Sequence, residues 1–77
     1  MKLEDIKPGI KIKTNETLGS TNGMIIKQEF LSQREANKEG MVYSYVPGHG
    51  GDVWWIMHEA GVVAPYCFDE FELVEKG

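Results

Sequence analysis

Residues 47–58 constrain the fold of this chain more than any other stretch, because a Pro-Gly-His-Gly-Gly turn leads directly into Asp-Val-Trp-Trp-Ile-Met-His. Both tryptophans and both histidines of the chain lie here. Successive side chains of a strand point to opposite faces, so Trp54 and Trp55 should lie on opposite sides. Only one face can be the core of a small domain, and the other must be covered by a loop, a partner subunit or a ligand.

The neighbours of the two tryptophans indicate which face is the core. One face carries Val53, Trp55 and Met57, and the other carries Asp52, Trp54, Ile56 and His58. Because a carboxylate and an imidazole share the face of Trp54, we predict that Trp55 belongs to the core. Trp54 should then be the more exposed of the two and a candidate for ligand binding.

The chain has 77 residues, so we expect a single domain, residues 1–77, that buries only about 60% of its unfolded surface. Cys67 is the only cysteine, which excludes an intrachain disulfide and favours a reducing, cytoplasmic location. A chain this small without a disulfide often gains support from association, so a homo-oligomer is expected. No apolar run approaches the roughly 20 residues of a membrane helix, and residues 1–5 lack the apolar stretch of a signal peptide.

The formal charge of −4 is unevenly distributed along the chain. Residues 1–38 hold seven Lys/Arg and five Asp/Glu, whereas residues 39–77 hold one Lys and seven Asp/Glu. An acidic protein without a basic run is poorly suited to contact a phosphate backbone, so nucleic-acid binding is not expected. The asymmetry is compatible with a solvated surface, with an oligomer contact between basic and acidic halves, or with a small anionic ligand.

Alternation and turn signals predict five or six short strands. In the first, residues 10–14, Ile10 and Ile12 should face the core while Lys11 and Lys13 face solvent. The polar loop 15–23 follows. The other predicted strands are residues 24–29, 41–46, 52–58 and 62–64, with Leu73 and Val74 closing the sheet.

Turn and helix signals lie between these strands. Leu3 and Ile6 are spaced for one helical turn, and Ser32 to Glu35 have the S-x-x-E form of a capping box. The second signal predicts a helix over residues 32–39 that ends at Gly40 and stays solvated, because Ala36 is its only apolar residue. Residues 59–61 should form a hairpin turn, Pro65 should end regular pairing, and residues 68–71 should form a single helical turn.

These elements predict a mainly β fold, a small and strongly bent antiparallel barrel with one short helix in an inserted loop. The second half resembles a Src-homology-3 domain through Gly51-Asp52-Val53-Trp54-Trp55, a turn at Gly61, Ala64-Pro65, and Phe68 before Leu73-Val74. In that family the first tryptophan and the proline-x-x-aromatic turn line the peptide groove. The resemblance therefore implies Trp54, Pro65 and Phe68 as a binding face. Very short acidic barrels of this kind also resemble phage and prophage proteins.

Catalytic and metal chemistry find little support in the sequence. His49, His58 and Cys67, with Asp52 or Asp69, would have to converge, yet no catalytic signature surrounds Cys67 and the gaps match no structural zinc spacing. We therefore expect no catalytic residues, no metal and no cofactor. The glycine-rich loop 47–51 is either a hairpin turn that requires positive φ or a nest of N–H groups for an anion.

We therefore expect this protein to be a non-catalytic binding module. Its candidate ligand-binding residues are Trp54, Tyr43, Tyr45, His49, Gly50, Pro65, Phe68, Lys11 and Lys13. The partner is either a protein, as for an inhibitor or adaptor, or a nucleotide. In the second case a phage protein would sequester a nucleotide signal by stacking bases on the aromatic rings. It would hold the phosphates on the glycine loop and Lys11 or Lys13.

Overall fold

The computed structural model describes residues 6–21 and 23–74, which contain one antiparallel sheet of five strands and one short α-helix. The strands lie in the order β4-β3-β2-β1-β5. The elements are β1 (Lys11–Thr14), α1 (Gln28–Leu31), β2 (Glu39–Tyr45), β3 (Val53–His58), β4 (Val63–Cys67) and β5 (Phe71–Leu73), with 3-10 turns at Glu59–Gly61 and Phe68–Glu70. No helix in the described part of the chain is long and apolar enough to cross a membrane.

The first strand alternates as its sequence predicts. Ile12 is fully buried and Ile10 packs against the core, while Lys11 and Lys13 are exposed. The main core cluster consists of Ile6, Ile12, Val42, Ile56, Ala64, Tyr66 and Phe71. The predicted helical turn from Leu3 to Ile6 lies mostly outside the described residues.

The core face of β3 is the opposite of the predicted one. Ile56 is fully buried in the main cluster, and Trp54, on the same side of the strand, packs against that cluster. His58 also belongs to this side, and its ring is satisfied by the Tyr66 hydroxyl at 2.8 Å and the Glu39 carbonyl at 3.0 Å. A polar side chain with its partners in place is tolerated beside a core, so His58 did not mark an exposed face.

The other face of β3 is covered by α1. The ring of Phe30 meets the ring of Trp55 edge-on, with centroids 5.2 Å apart. Val53, on this side too, is buried. The two tryptophans are therefore both partly buried, and the cover that the sequence required for the second face comes from the chain itself.

The predicted positions of the strand at residues 24–29 and of the helix at residues 32–39 are wrong. The helix lies at Gln28–Leu31, where Phe30 contacts Trp55, and Ser32 is its C-cap instead of an N-cap. Gly40 ends no helix; it lies within β2, where a Cβ would lie only 2.8 Å from Ile56 Cγ2 and 2.9 Å from the Met57 carbonyl oxygen. The glycine is thus required by close strand packing.

The second half follows the sequence more closely. β3 and β4 form the predicted hairpin around Glu59–Gly61, and Phe68–Glu70 form the predicted helical turn before the last strand. Pro65 does not end pairing, because it lies inside β4 opposite Trp55. β4 is an edge strand of the sheet, and an edge strand can tolerate a residue without an N–H donor.

A buried ion pair links the long connection between β1 and β2 to the turn at Phe68–Glu70. The guanidinium of Arg34 contacts Glu70 Oε2, and each side chain is only 5% exposed. Glu70 also accepts the N–H of Gly19 through Oε2 and the N–H of Cys67 through Oε1. A cation of the basic half thus meets an anion of the acidic half within one chain.

Candidate functional site

The aromatic surface, defined here as Tyr43, Tyr45 and Trp54, lies at one end of the β2–β3 hairpin. Tyr45 pairs directly with Trp54 across the two strands, and their rings meet at 66° with centroids 6.0 Å apart. The indole N–H of Trp54 donates to the Gly51 carbonyl at 3.0 Å, so this donor is already used. Tyr45 remains 56% exposed, which leaves much of the residue available to a partner.

Tyr43 reaches the same surface through an irregularity in β2. The register shifts between Val42, which pairs with Ile56, and Ser44, which pairs with Trp55. Tyr43 is the extra residue of this bulge and is 56% exposed. Bulges redirect side chains, and this one places a second tyrosine outside the core close to Tyr45 in the strand.

The glycine loop, residues 47–51, joins β2 to β3 directly beside Tyr45 and Trp54. Gly48, Gly50 and Gly51 have φ of +85°, +66° and +82°, values that L side chains rarely adopt. The hairpin requires these glycines for its turn, and a Cβ added to Gly50 would meet no atom within 4 Å. The loop is therefore an open, backbone-rich rim of the aromatic surface.

The side chain of His49 links the glycine loop to the segment between β1 and β2. Its Nδ1 lies 3.1 Å from the Pro47 carbonyl and its Nε2 accepts the N–H of Ile25 at 3.0 Å. These contacts fit a neutral ring protonated on Nδ1. Ile25 itself is 87% exposed, so His49 holds an open apolar side chain next to the loop. The sequence pattern predicts a strand at residues 24–29 and gives no signal for this exposed position of Ile25.

Pro65 does not join Trp54 in a common surface. Pro65 is fully buried and lies on the Trp55 side of the sheet. Phe68 packs against the core, and its N–H donates to the Asp52 carbonyl at 2.8 Å. Burial therefore removes Pro65 from the binding face that the resemblance implies.

Lys11 and Lys13 lie apart from the aromatic surface. Lys11 pairs with Met41 and Lys13 with Glu39, and Tyr45 lies four residues beyond Met41, about 13 Å away at 3.3 Å per residue. Lys11 lines a groove of about 390 Å³ with Met41, Met57, Val74 and Glu59. Neither Lys11 nor Lys13 therefore lies beside the glycine loop, where the predicted phosphate site requires one of them.

The candidate catalytic groups also remain separate or occupied. Among the described residues no three His, Cys, Asp or Glu side chains converge to hold a metal ion. Burial, followed by the carboxylates of Glu70 and Asp69, raises the pKa of the Cys67 thiol to about 11, so it stays protonated and weakly nucleophilic near neutral pH. Burial likewise raises the pKa of the Tyr66 hydroxyl, which keeps it a hydrogen-bond donor.

Comparison with protein-family models, with curated proteins and with solved structures found no match.

Proposed function

We propose that this protein is a non-catalytic binding module that recognises a partner protein through the aromatic surface and the glycine loop. The observation that carries the proposal is Tyr45, which is 56% exposed while its ring contacts the half-buried Trp54. Tyrosine and tryptophan dominate the binding energy of many interfaces. An aromatic ring already held by a neighbour also loses little side-chain entropy on binding.

The proposal includes closure of the sheet into a strongly bent barrel of the Src-homology-3 type. Two features support it: the strand order β4-β3-β2-β1-β5, which places β5 beside β1, and the single 3-10 turn that separates β4 from β5. The binding surface proposed here nevertheless differs from the groove that the resemblance implies. It uses Tyr43 and Tyr45 in place of Pro65 and Phe68.

A protein partner is favoured over a nucleotide by the distribution of charge. A nucleotide would need cations near the glycine loop to balance its phosphates, and Lys11 and Lys13 lie on a distant part of β1. The side chain next to the loop is instead the exposed carboxylate of Asp52. Aromatic rings, exposed backbone and a neighbouring carboxylate suit a neutral protein surface better than a phosphate.

The test is affinity enrichment from source cells with the wild-type protein and with Tyr45→Ala, followed by mass spectrometry and by ultraviolet spectra of the eluate. We expect one protein to be retained by the wild type and reduced at least tenfold with Tyr45→Ala. Glu16→Ala, at an exposed position in the β1–β2 connection, is the matched control. A co-eluting nucleotide without a protein, or equal recovery with Tyr45→Ala, would contradict the proposal.

A further inference from the structure

A second surface lies on the side of the sheet away from the core. Lys11 pairs with Met41, Met41 with Met57, and Met57 with Val63. Directly paired residues share a face, so these four side chains form one row across four strands. Val74, whose N–H donates to the Lys11 carbonyl at 3.1 Å, extends the row. We call these five residues the methionine face.

The methionine face is partly open although four of its five side chains are apolar. Met41 is 42% exposed, and the groove of about 390 Å³ lies between Lys11, Met41, Met57 and Val74. On the same side of β3, α1 covers Trp55, but it leaves Met41 in solvent. Methionine is flexible and polarizable, and it adapts to an opposing apolar surface.

The charges around this face are arranged in a way that favours a second copy of the same chain. Lys11 and Lys13 lie on β1, to one side of β2. Glu59, another residue that lines the groove, follows β3 on the other side of β2. A two-fold contact requires a surface that is complementary to itself. Met41 and Met57 at the centre, with Lys11 and Lys13 on one side of β2 and Glu59 on the other, meet this requirement. Glu39 and Glu72, the strand neighbours of Lys13, lie on the same face.

We propose that the methionine face is the contact between two copies of this chain, related by a two-fold axis along β2. Such an axis stacks β1 of each copy on β3 of the other, because β2 lies between them. Lys13 of one copy then faces Glu59 of its partner, Lys11 covers Met57, and Met41 packs against Met41. Glu39 lies near the axis, where Lys13 of its own chain is its strand neighbour.

This contact leaves the aromatic surface free. Tyr45 and Trp54 lie toward the glycine loop and on the core side of the sheet, so a dimer would present two aromatic surfaces. The methionine face is separate from the aromatic surface, so loss of the dimer would leave recognition through Tyr45 unaffected, and the reverse. Dimerisation through the methionine face would also bury additional apolar surface. A small domain without a disulfide has a thin core and often gains stability in this way.

Sedimentation equilibrium over a range of micromolar concentrations tests the contact through a charge exchange. Lys13→Glu and Glu59→Lys should each weaken the dimer roughly tenfold or more, because close charge pairs across interfaces are strongly coupled. In the double variant the charges at positions 13 and 59 are exchanged, so opposite charges face each other again. This variant should regain most of the affinity of the dimer. Asp52→Lys changes the charge equally near the glycine loop and should leave the dimer intact, as should Tyr45→Ala.

Circular dichroism of each variant confirms that the monomer is folded. A wild-type protein that stays monomeric throughout this range would overturn the proposal. So would a dimer that resists both single charge reversals, that is not restored in the double variant, or that dissociates with Tyr45→Ala. Each of these results would show that the methionine face is not the contact.

Discussion

Arg34 and Glu70 form an ion pair whose two side chains are each only 5% exposed. Arg34 also lies over the ring of Tyr66, 5.4 Å from its centroid. Glu70 forms a reciprocal cap with Cys67, whose N–H it accepts at 2.7 Å. One carboxylate therefore holds both the β1–β2 connection and the turn before β5.

Removing one partner of this pair should destabilise the protein strongly. Glu70→Gln keeps an acceptor for Cys67 but leaves the Arg34 charge buried without a counter-ion, at a cost of roughly 3–5 kcal/mol. Arg34→Met with Glu70→Gln should recover part of that loss, because no unpaired charge remains. Urea unfolding monitored by circular dichroism measures the three free energies.

The exposed pair of Lys38 and Glu35, 4.0 Å apart, provides the control. Lys38→Ala should change the free energy of unfolding by less than about 1 kcal/mol, as solvent-exposed pairs do. If Glu70→Gln costs no more than Lys38→Ala, the buried pair does not hold the connection in place.

Phe30 should control the environment of Trp55. In a Trp54→Phe background the emission comes from Trp55 alone, and Phe30→Ala should shift that emission to the red and increase quenching by acrylamide. The lost edge-to-face contact should also cost about 1 kcal/mol of stability. Tyr45→Ala in the same background should leave the Trp55 emission unchanged, and an unchanged spectrum with Phe30→Ala would show that α1 does not cover Trp55.

Gly40→Ala should destabilise the fold more than Gly50→Ala. The added methyl at position 40 would lie 2.8 Å from Ile56 Cγ2, and overpacking of this kind costs about 1–3 kcal/mol. At Gly50 the methyl enters open space, but φ is +66°, so the cost is conformational and about 1 kcal/mol. Thermal or urea unfolding compares the two, and the reverse order would contradict the close packing of β2 on β3.

Stability should fall in alkaline solution through Cys67. Its thiol has a pKa of about 11 in the folded state, against about 8.5 for an unperturbed cysteine. The folded state binds this proton more tightly, so the contribution is complete below about 8.5 and is lost as pH rises toward 11. The difference in unfolding free energy between wild type and Cys67→Ala should therefore shift in favour of the variant across this range.

The pH dependence of alkylation by iodoacetamide measures the pKa of the Cys67 thiol directly. The rate for the native protein should rise with an inflection near pH 11, and the rate in urea should rise near 8.5. A native inflection at or below the unfolded one would mean that burial and the two carboxylates do not act on this thiol.

The sequence predicts local elements well where alternation and turn chemistry agree. The strand with Ile12 inside, the β3–β4 hairpin and the turn at Phe68–Glu70 all have such signals. The inserted helix was misplaced because the capping-box pattern at Ser32 is a local signal. The tertiary contact between Phe30 and Trp55 decides the actual position.

The candidate site was less predictable for the same reason. Which face of β3 belongs to the core depends on the burial of Ile56 and on the hydrogen bonds that satisfy His58. The alternation of side chains does not show either of these. Pro65 is buried by its place in β4, which the proline-x-x-aromatic pattern does not show. Tyr43 and Tyr45, by contrast, are ligand-binding candidates in the sequence, and both are exposed.

The most direct test of the proposed binding surface is photo-crosslinking in source cells with benzoylphenylalanine at position 45. A tyrosine that is 56% exposed accepts this bulkier ring without disturbing the core, and Glu16, exposed in the β1–β2 connection, is the control position. We expect a discrete adduct with one partner protein from position 45 and none from position 16. No adduct from position 45, or the same adducts from both positions, would contradict recognition through the aromatic surface.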